Sequence, residues 1–252
     1  MPRDEKPRQT MTRPTMNPIC FVSLGPGDPD LLTLKACRAL RQADIIMLPA
    51  TGRPDGAQTS RALTITKHIL SSDQPDGAAP DIRLYALPMK ADRTAARAVY
   101  ERMKADARRW QAEGKRVAIG VEGDISIYAS VHYLLDELAA EGIATEQTEG
   151  IPSFIAGAAA ARLSLISGQE RLLVVPGNLR AAEVEPLLES RHVLVVMKLS
   201  QCEAEVKAFM RAHPGREYHY FENISLPEAC HLTDCEAILG RRFPYFSQLL
   251  IK

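Results

Sequence analysis

The chain has 252 residues, and its 31 Lys plus Arg equal its 31 Asp plus Glu, so the formal net charge is zero. That balance argues against a globally basic nucleic-acid binder, and 46% hydrophobic residues exclude a wholly disordered chain. No apolar run approaches the roughly 18 residues of a membrane span, while the length suffices for one large or two small packed domains.

The first 16 residues, MPRDEKPRQTMTRPTM, carry three prolines and no apolar periodicity. They lack the apolar stretch of a secretory signal and read as a disordered tail. Order is expected from Ile19-Cys20-Phe21-Val22-Ser23-Leu24, a buried-strand pattern that ends in Gly25-Pro26-Gly27-Asp28-Pro29. Asp28 suits a helix N-cap and Pro29 the first helical position, so one helix is expected from there to Ala43. A strand follows at Ile45–Leu48. Residues 51–60 and 71–81 are rich in Gly, Pro, Asp and Ser and read as loops, with a helix at about 59–70 between them.

Ile82–Leu87 is a strand, residues 92–113 a long helix, and Val117–Val121 a buried strand ending in Glu122-Gly123-Asp124. A helix is expected from Ile127 to Ala140, a strand over residues 144–148, a turn at Gly150-Ile151-Pro152-Ser153, and a small-residue helix from Ala156 to Leu163. Later strands are expected at 172–175, 193–197, 218–221 and 249–251, a helix at 201–213, and a short strand at Glu236-Ala237-Ile238. Strands alternate with helices, so the fold class is α/β. Two domains are expected, residues 17–118 and 119–252, after the tail of residues 1–16. The five cysteines are odd in number, irregular in spacing and form no CxxC pair. Neither a disulfide framework nor a metal site is expected, and a reducing cytoplasm is the expected compartment.

Three glycine-containing strand-to-helix turns carry the chemistry. Leu24-Gly25-Pro26-Gly27-Asp28-Pro29 is not a nucleotide loop. The third glycine of a dinucleotide fingerprint is replaced by Asp30, a Walker Gly-Lys-Ser/Thr is absent, and Asp28 and Asp30 oppose a phosphate. The second turn is Glu122-Gly123-Asp124-Ile125-Ser126-Ile127-Tyr128, where Asp124 also reads as a simple cap for the following helix. The third is Glu149-Gly150-Ile151-Pro152-Ser153-Phe154, whose small-residue helix allows close approach to a ligand or to a neighbouring element.

In this order and separation the three turns resemble the tetrapyrrole methylase family. The stretch from Leu24 to Ala36, with Ala43-Asp44-Ile45-Ile46, matches its N-terminal signature, and the resemblance runs from about Pro18 to the C-terminus. Further residues resemble the branch that methylates precorrin-2 or cobalt-factor II at C-20. These are Leu87-Pro88-Met89, Ser126-Ile127-Tyr128, Glu170-Arg171-Leu172, Glu222-Asn223-Ile224-Ser225 and Pro244-Tyr245-Phe246-Ser247. Two positions depart from the family pattern: Ile125 stands where proline is usual, and Pro152 lacks an N–H to donate.

The resemblance implies two α/β domains with S-adenosylmethionine in the cleft between them. It implies cofactor contacts at Pro26, Glu122, Gly123, Asp124, Ile127, Tyr128, Pro152, Ser153 and Met197. Tyr128 and Glu222 are the candidates for a catalytic base. The substrate carries several carboxylates, for which Arg53, Lys90, Arg93 and Arg97 are the expected partners. A homodimer is implied, with no nucleic-acid or membrane partner. The alternatives are a family enzyme acting at another corrin carbon, or a weakly catalytic protein that binds cofactor or tetrapyrrole.

Overall fold

The computed structural model describes residues 16–52, 58–71, 79–88 and 93–252. The expectations for the tail, for Arg53 and for Lys90 lie outside these residues. Strand β1 (Ile19–Ser23) leads through a 3-10 turn at Pro29–Leu31 into helix α1 (Leu34–Gln42). The expected single helix is therefore two pieces. Asp28 caps only the short turn, accepting from Asp30 N at 2.9 Å, and Leu32 is extended at φ −70°, ψ 140°. Thr33 then caps α1 by accepting from Ala36 N at 3.2 Å.

Next come β2 (Ile45–Gly52), β3 (Gln58–Thr59), α2 (Arg61–Ser71), β4 (Asp81–Leu87), α3 (Arg93–Ala112), β5 (Val117–Val121), α4 (His132–Ala140) and β6 (Thr145–Thr148). Helix α4 starts five residues later than the sequence pattern suggests. Asp124 ties down Ser126 N at 2.9 Å, and Tyr128 sits at φ 51°, which no α-helix admits, so residues 125–131 form turns.

β2, β5, β1 and β6 lie side by side in that order, all parallel; β4 pairs with β2 in parallel, and β3 pairs with β2 antiparallel. The sheet is covered on both faces, which explains the continuous apolar runs of its strands. Phe21, Met47 and Ile119 pack with Met103 of α3 and Leu134 of α4, while Val22, Ile46 and Leu48 pack with Leu40 of α1 and Ile65 of α2.

The remaining elements are α5 (Ser153–Ala160), β7 (Arg171–Val175), α6 (Ala181–Glu189), β8 (His192–Met197), α7 (Glu203–Ala212), β9 (Tyr218–Glu222), β10 (Cys230–Leu232), α8 (Cys235–Leu239) and β11 (Ser247–Ile251). They build a second sheet of order β10-β9-β11-β8-β7, antiparallel except for β7 with β8. Helix α6 has no counterpart in the sequence reading. The short strand expected at 236–238 is instead helix α8, because Asp234 accepts from Ala237 N at 2.8 Å and nucleates a helical turn. Helix α5 begins at Ser153, three residues early, with Pro152 as an extended N-cap.

The changeover between sheets falls between Thr148 and Arg171, because β5 and β6 flank β1 in the first sheet. Helix α5 makes the crossing. It leaves β6 but packs its Phe154 on Val193, Val195, Phe221 and Leu250 of the second sheet. All five cysteines are free thiols, and no described helix is long and apolar enough to cross a membrane.

Candidate active site

The three glycine turns leave the carboxyl ends of β1, β5 and β6, which are neighbours in a parallel sheet. Adjacent strand ends bring the turns together, as expected where ligands bind open α/β sheets. Gly25 and Gly123 pair as a two-residue bridge, Gly25 N to Gly123 O at 3.1 Å and Gly123 N to Gly25 O at 2.7 Å. Both have φ above 70°, which a residue with a Cβ rarely adopts.

The second and third turns are joined through Asp124. Its Oδ2 accepts from Gly150 N at 2.7 Å, and its Oδ1 accepts from Ser126 N and from the Ser126 hydroxyl. Burial pushes the Asp124 carboxyl up, but these hydrogen bonds outweigh it and hold the group below the ordinary aspartate range. Underneath, buried Ser23 donates from Oγ to Thr148 O at 2.8 Å and accepts from Ile125 N at 3.1 Å. The three turns are thus one hydrogen-bonded unit.

This unit floors a cleft whose far wall comes from the second sheet. Three contacts span the walls. Tyr128 Oη donates to Val174 O at 2.7 Å, Ser153 Oγ donates to Gln248 Oε1 at 2.9 Å, and an Arg61 guanidinium nitrogen donates to Asn223 Oδ1 at 2.7 Å. The Arg61 guanidinium also lies 3.9 Å from the centre of the Phe246 ring, a cation–π stack. Tyr245 and Phe246 remain about half exposed, at 48% and 47%, and form an aromatic rim. Lys198 Nζ stands 5.9 Å from the centre of the Tyr128 ring. Tyr128, Lys198 and Asn223 line the cleft and are non-glycine residues with φ between 47° and 56°. Such backbone persists only where its surroundings hold it.

Every residue expected to touch the cofactor lines this cleft: Pro26, Glu122, Gly123, Asp124, Ile127, Tyr128, Pro152, Ser153 and Met197. The two departures from the family pattern are absorbed. Ile125 is buried among Phe21, Met47 and Leu134, and Pro152 gives its carbonyl to Ile155 N at 3.0 Å. The base candidates fare differently. The Tyr128 hydroxyl proton is engaged by a backbone carbonyl. Glu222 is absent from the cleft lining, because its carboxylate binds Arg241 through two hydrogen bonds of 2.8 Å and accepts from Tyr220 Oη. In this structure both groups are engaged in such ties.

Of the expected anion partners, Arg93 opens α3, and Arg97 is exposed on α3 outside the cleft lining. The basic residues that do line the cleft, among the described residues, are Arg61 and Lys198. Sequence reading missed both. Nothing local marks Arg61, since Asn223 and Phe246 reach it only through the tertiary fold. Glu122 is a half-buried side chain in the lining. Burial raises its carboxyl above the ordinary glutamate range, against the opposing pull of Arg61 and of the Ala62 N–H.

Residues 18–235 match the profile of the family described as Tetrapyrrole (Corrin/Porphyrin) Methylases. The chain is 31% identical over 232 residues to the cobalt-precorrin-2 C(20)-methyltransferase of Salmonella typhimurium strain LT2, covering 91% of this chain and 94% of that protein. It is 29% identical to the precorrin-2 C(20)-methyltransferase of a Sinorhizobium species, covering 91% and 93%. Among solved structures, a cobalt precorrin-4 methyltransferase superposes with a TM-score of 0.67 at 20% identity, over 92% of this chain and 93% of that one. The uroporphyrin-III C-methyltransferase of Thermus thermophilus complexed with S-adenosylhomocysteine gives a TM-score of 0.63 at 20% identity, over 93% and 97%.

Proposed function

This chain belongs to the tetrapyrrole methylase family, and from that premise we propose that it transfers a methyl group from S-adenosylmethionine to C-20 of precorrin-2 or cobalt-factor II in cobalamin biosynthesis. The observation that carries the reading is the fusion of three glycine turns into one unit facing a second sheet. Relatives named for C-20 methylation, aligned over most of both chains, support the choice of acceptor.

The residues present fit the cofactor. Glycine backbone at Gly123, where an added Cβ would meet nothing within 4 Å, suits close approach of a polar ligand, and the aspartate beneath suits a cation rather than a phosphate. Ile127 and Met197 supply apolar surface for an adenine, and Ser153 stands at the N-terminus of α5. S-adenosylmethionine supplies an electrophilic methyl carbon on a sulfonium centre. The chain's task is then alignment and exclusion of water, worth up to about 7–11 kcal/mol where two reactants are held in register. Asp124 acts through the turns it locks. Arg61 and Lys198, which stand on opposite walls of the cleft, join the expected basic residues as partners for acceptor carboxylates.

The reading includes a cytoplasmic homodimer, which sedimentation of the purified protein tests. The deciding experiment is an anaerobic assay with carbon-13 methyl-labelled S-adenosylmethionine and each acceptor. One added methyl at C-20 by mass and NMR is expected. Transfer to another carbon, or none with either acceptor, refutes the assignment.

A further inference from the structure

Among the described residues, the acidic side chains that line the cleft are Glu122 and Asp124. Asp124 spends both carboxylate oxygens on Ser126 and Gly150. Glu122 stands at the carboxyl end of β5 in the cleft lining, near Arg61, Ala62 and Tyr245. The α2 start beside it is held in place. Arg61 is held between Asn223 and the Phe246 ring, and Ser60 Oγ, donating to Pro49 O at 2.8 Å, accepts from Leu63 N at 3.2 Å to cap α2.

The proposed reaction needs a proton acceptor. The acceptor carbon gains a carbon–carbon bond as the sulfur–methyl bond breaks with its electron pair left on sulfur. The hydrogen on that carbon must then leave as a proton, its bonding pair returning to the ring to restore conjugation. Tyr128 and Glu222 are engaged elsewhere. We propose that Glu122 is the catalytic base that takes this proton; the assignment rests on the methyl-transfer reading above. A carboxyl whose burial weakens its acidity accepts a proton more readily than an exposed one, while the Arg61 charge and the Ala62 N–H keep the ionised form accessible.

The test uses Glu122→Gln, which keeps an oxygen for Ala62 N–H but removes the base. The variant should melt like wild type and still bind S-adenosylhomocysteine. Its kcat should fall by about 100-fold or more, as for loss of a general base, and the acid limb of the wild-type kcat/KM–pH profile, which reports the free enzyme, should vanish. The infrared carbonyl band of the protonated carboxyl, found by difference against the variant, should titrate at the pH of that limb in ligand-free enzyme.

A Gln variant with near-wild-type kcat, or one that keeps the acid limb, overturns the assignment. So does an infrared titration that departs from the limb. A wild-type enzyme inactive on both acceptors overturns the methyl-transfer reading itself, and so is told apart. Should the Gln variant fail to fold, Glu122→Asp carries the test. It withdraws the carboxylate by one methylene, so kcat should drop with the acid limb retained, and undiminished kcat overturns the proposal.

Discussion

Gly150 is the position where one added methyl group should do most damage. A Cβ there would lie 2.5 Å from Ser23 Cβ, 2.7 Å from Gly123 O and 3.3 Å from Asp124 Cα. None of these is the free end of a flexible side chain, so the third turn must move as a body. Overpacking of this kind costs about 1–3 kcal/mol. The shift also stretches the 2.7 Å bond from Gly150 N to the Asp124 carboxylate, and a bond to a charged group is worth about 1.5–3 kcal/mol. One displacement causes both losses, so they do not simply add, and about 2–4 kcal/mol is expected. At ~2–4 °C per kcal/mol for a chain of this size, Gly150→Ala should melt roughly 5–15 °C lower. Its S-adenosylhomocysteine affinity, measured by calorimetry, should fall at least ~10-fold, the equivalent of about 1.4 kcal/mol. Gly215→Ala is the control, since a Cβ there meets nothing within 4 Å. It should melt within about 2 °C of wild type. A Gly150→Ala protein that melts and binds like the control would refute the claim that the three turns are one rigid unit.

Asp124→Asn should weaken the same unit through charge rather than volume. The native carboxyl titrates below the ordinary range, so its stabilisation is complete above the unfolded aspartate pKa and fades as pH falls through the lowered native value. Wild type should therefore lose stability on acidification more steeply than the Asn variant, as chemical unfolding at a series of pH values would reveal; parallel slopes would contradict it. Glu222→Gln breaks the carboxylate–guanidinium pair with Arg241 and should destabilise by about 1–3 kcal/mol, while kcat stays near wild type. A collapse of kcat in well-folded Gln protein would restore Glu222 to catalysis. Arg61→Lys keeps the charge but loses the planar stack on Phe246 and the bond to Asn223. Its KM for the tetrapyrrole should rise by roughly tenfold, about 1.4 kcal/mol; steady-state kinetics with unaltered KM would count against Arg61 as a substrate contact.

Much of the first sheet was legible because both of its faces are buried. Strands such as Ile45–Leu48 and Val117–Val121 then read as apolar runs bounded by charged residues or proline. Helix α6 was hidden by Pro186 in its interior, which argues locally against a helix. Helix α8 was mistaken for a strand since Glu236-Ala237-Ile238 is too short to show a period. The break at Leu32 and the delay of α4 both trace to side-chain caps, at Thr33 and Asp124, that compete with helix continuation. At the site, the turns were legible as motifs, but their partners were not. The Tyr128 hydroxyl meets Val174, and Arg61 meets Asn223, across sequence separations of 46 and 162 residues. Glu222-Asn223 and Tyr245-Phe246 were visible as family-like pairs. Only the fold turns Glu222 into the sheet and Asn223 into the cleft.

The wiring beneath the turns has a bearing on how the chain matures. Ser23 reaches Thr148 across 125 residues and Ile125 across 102, so β1 is an early segment that waits for late partners. Pairings of such high contact order form slowly, because long loops must close before any contact rewards them. A nascent chain halted after β5 would present the bridge between Gly25 and Gly123 but not Gly150, the residue that seats Asp124. Ligand affinity therefore cannot arise before the first sheet is complete, and it needs the second sheet as the far wall of the cleft as well. A bound ligand can then stabilise only chains that have already added β6 beside β1, and partly made chains gain no protection from cellular supplies of cofactor.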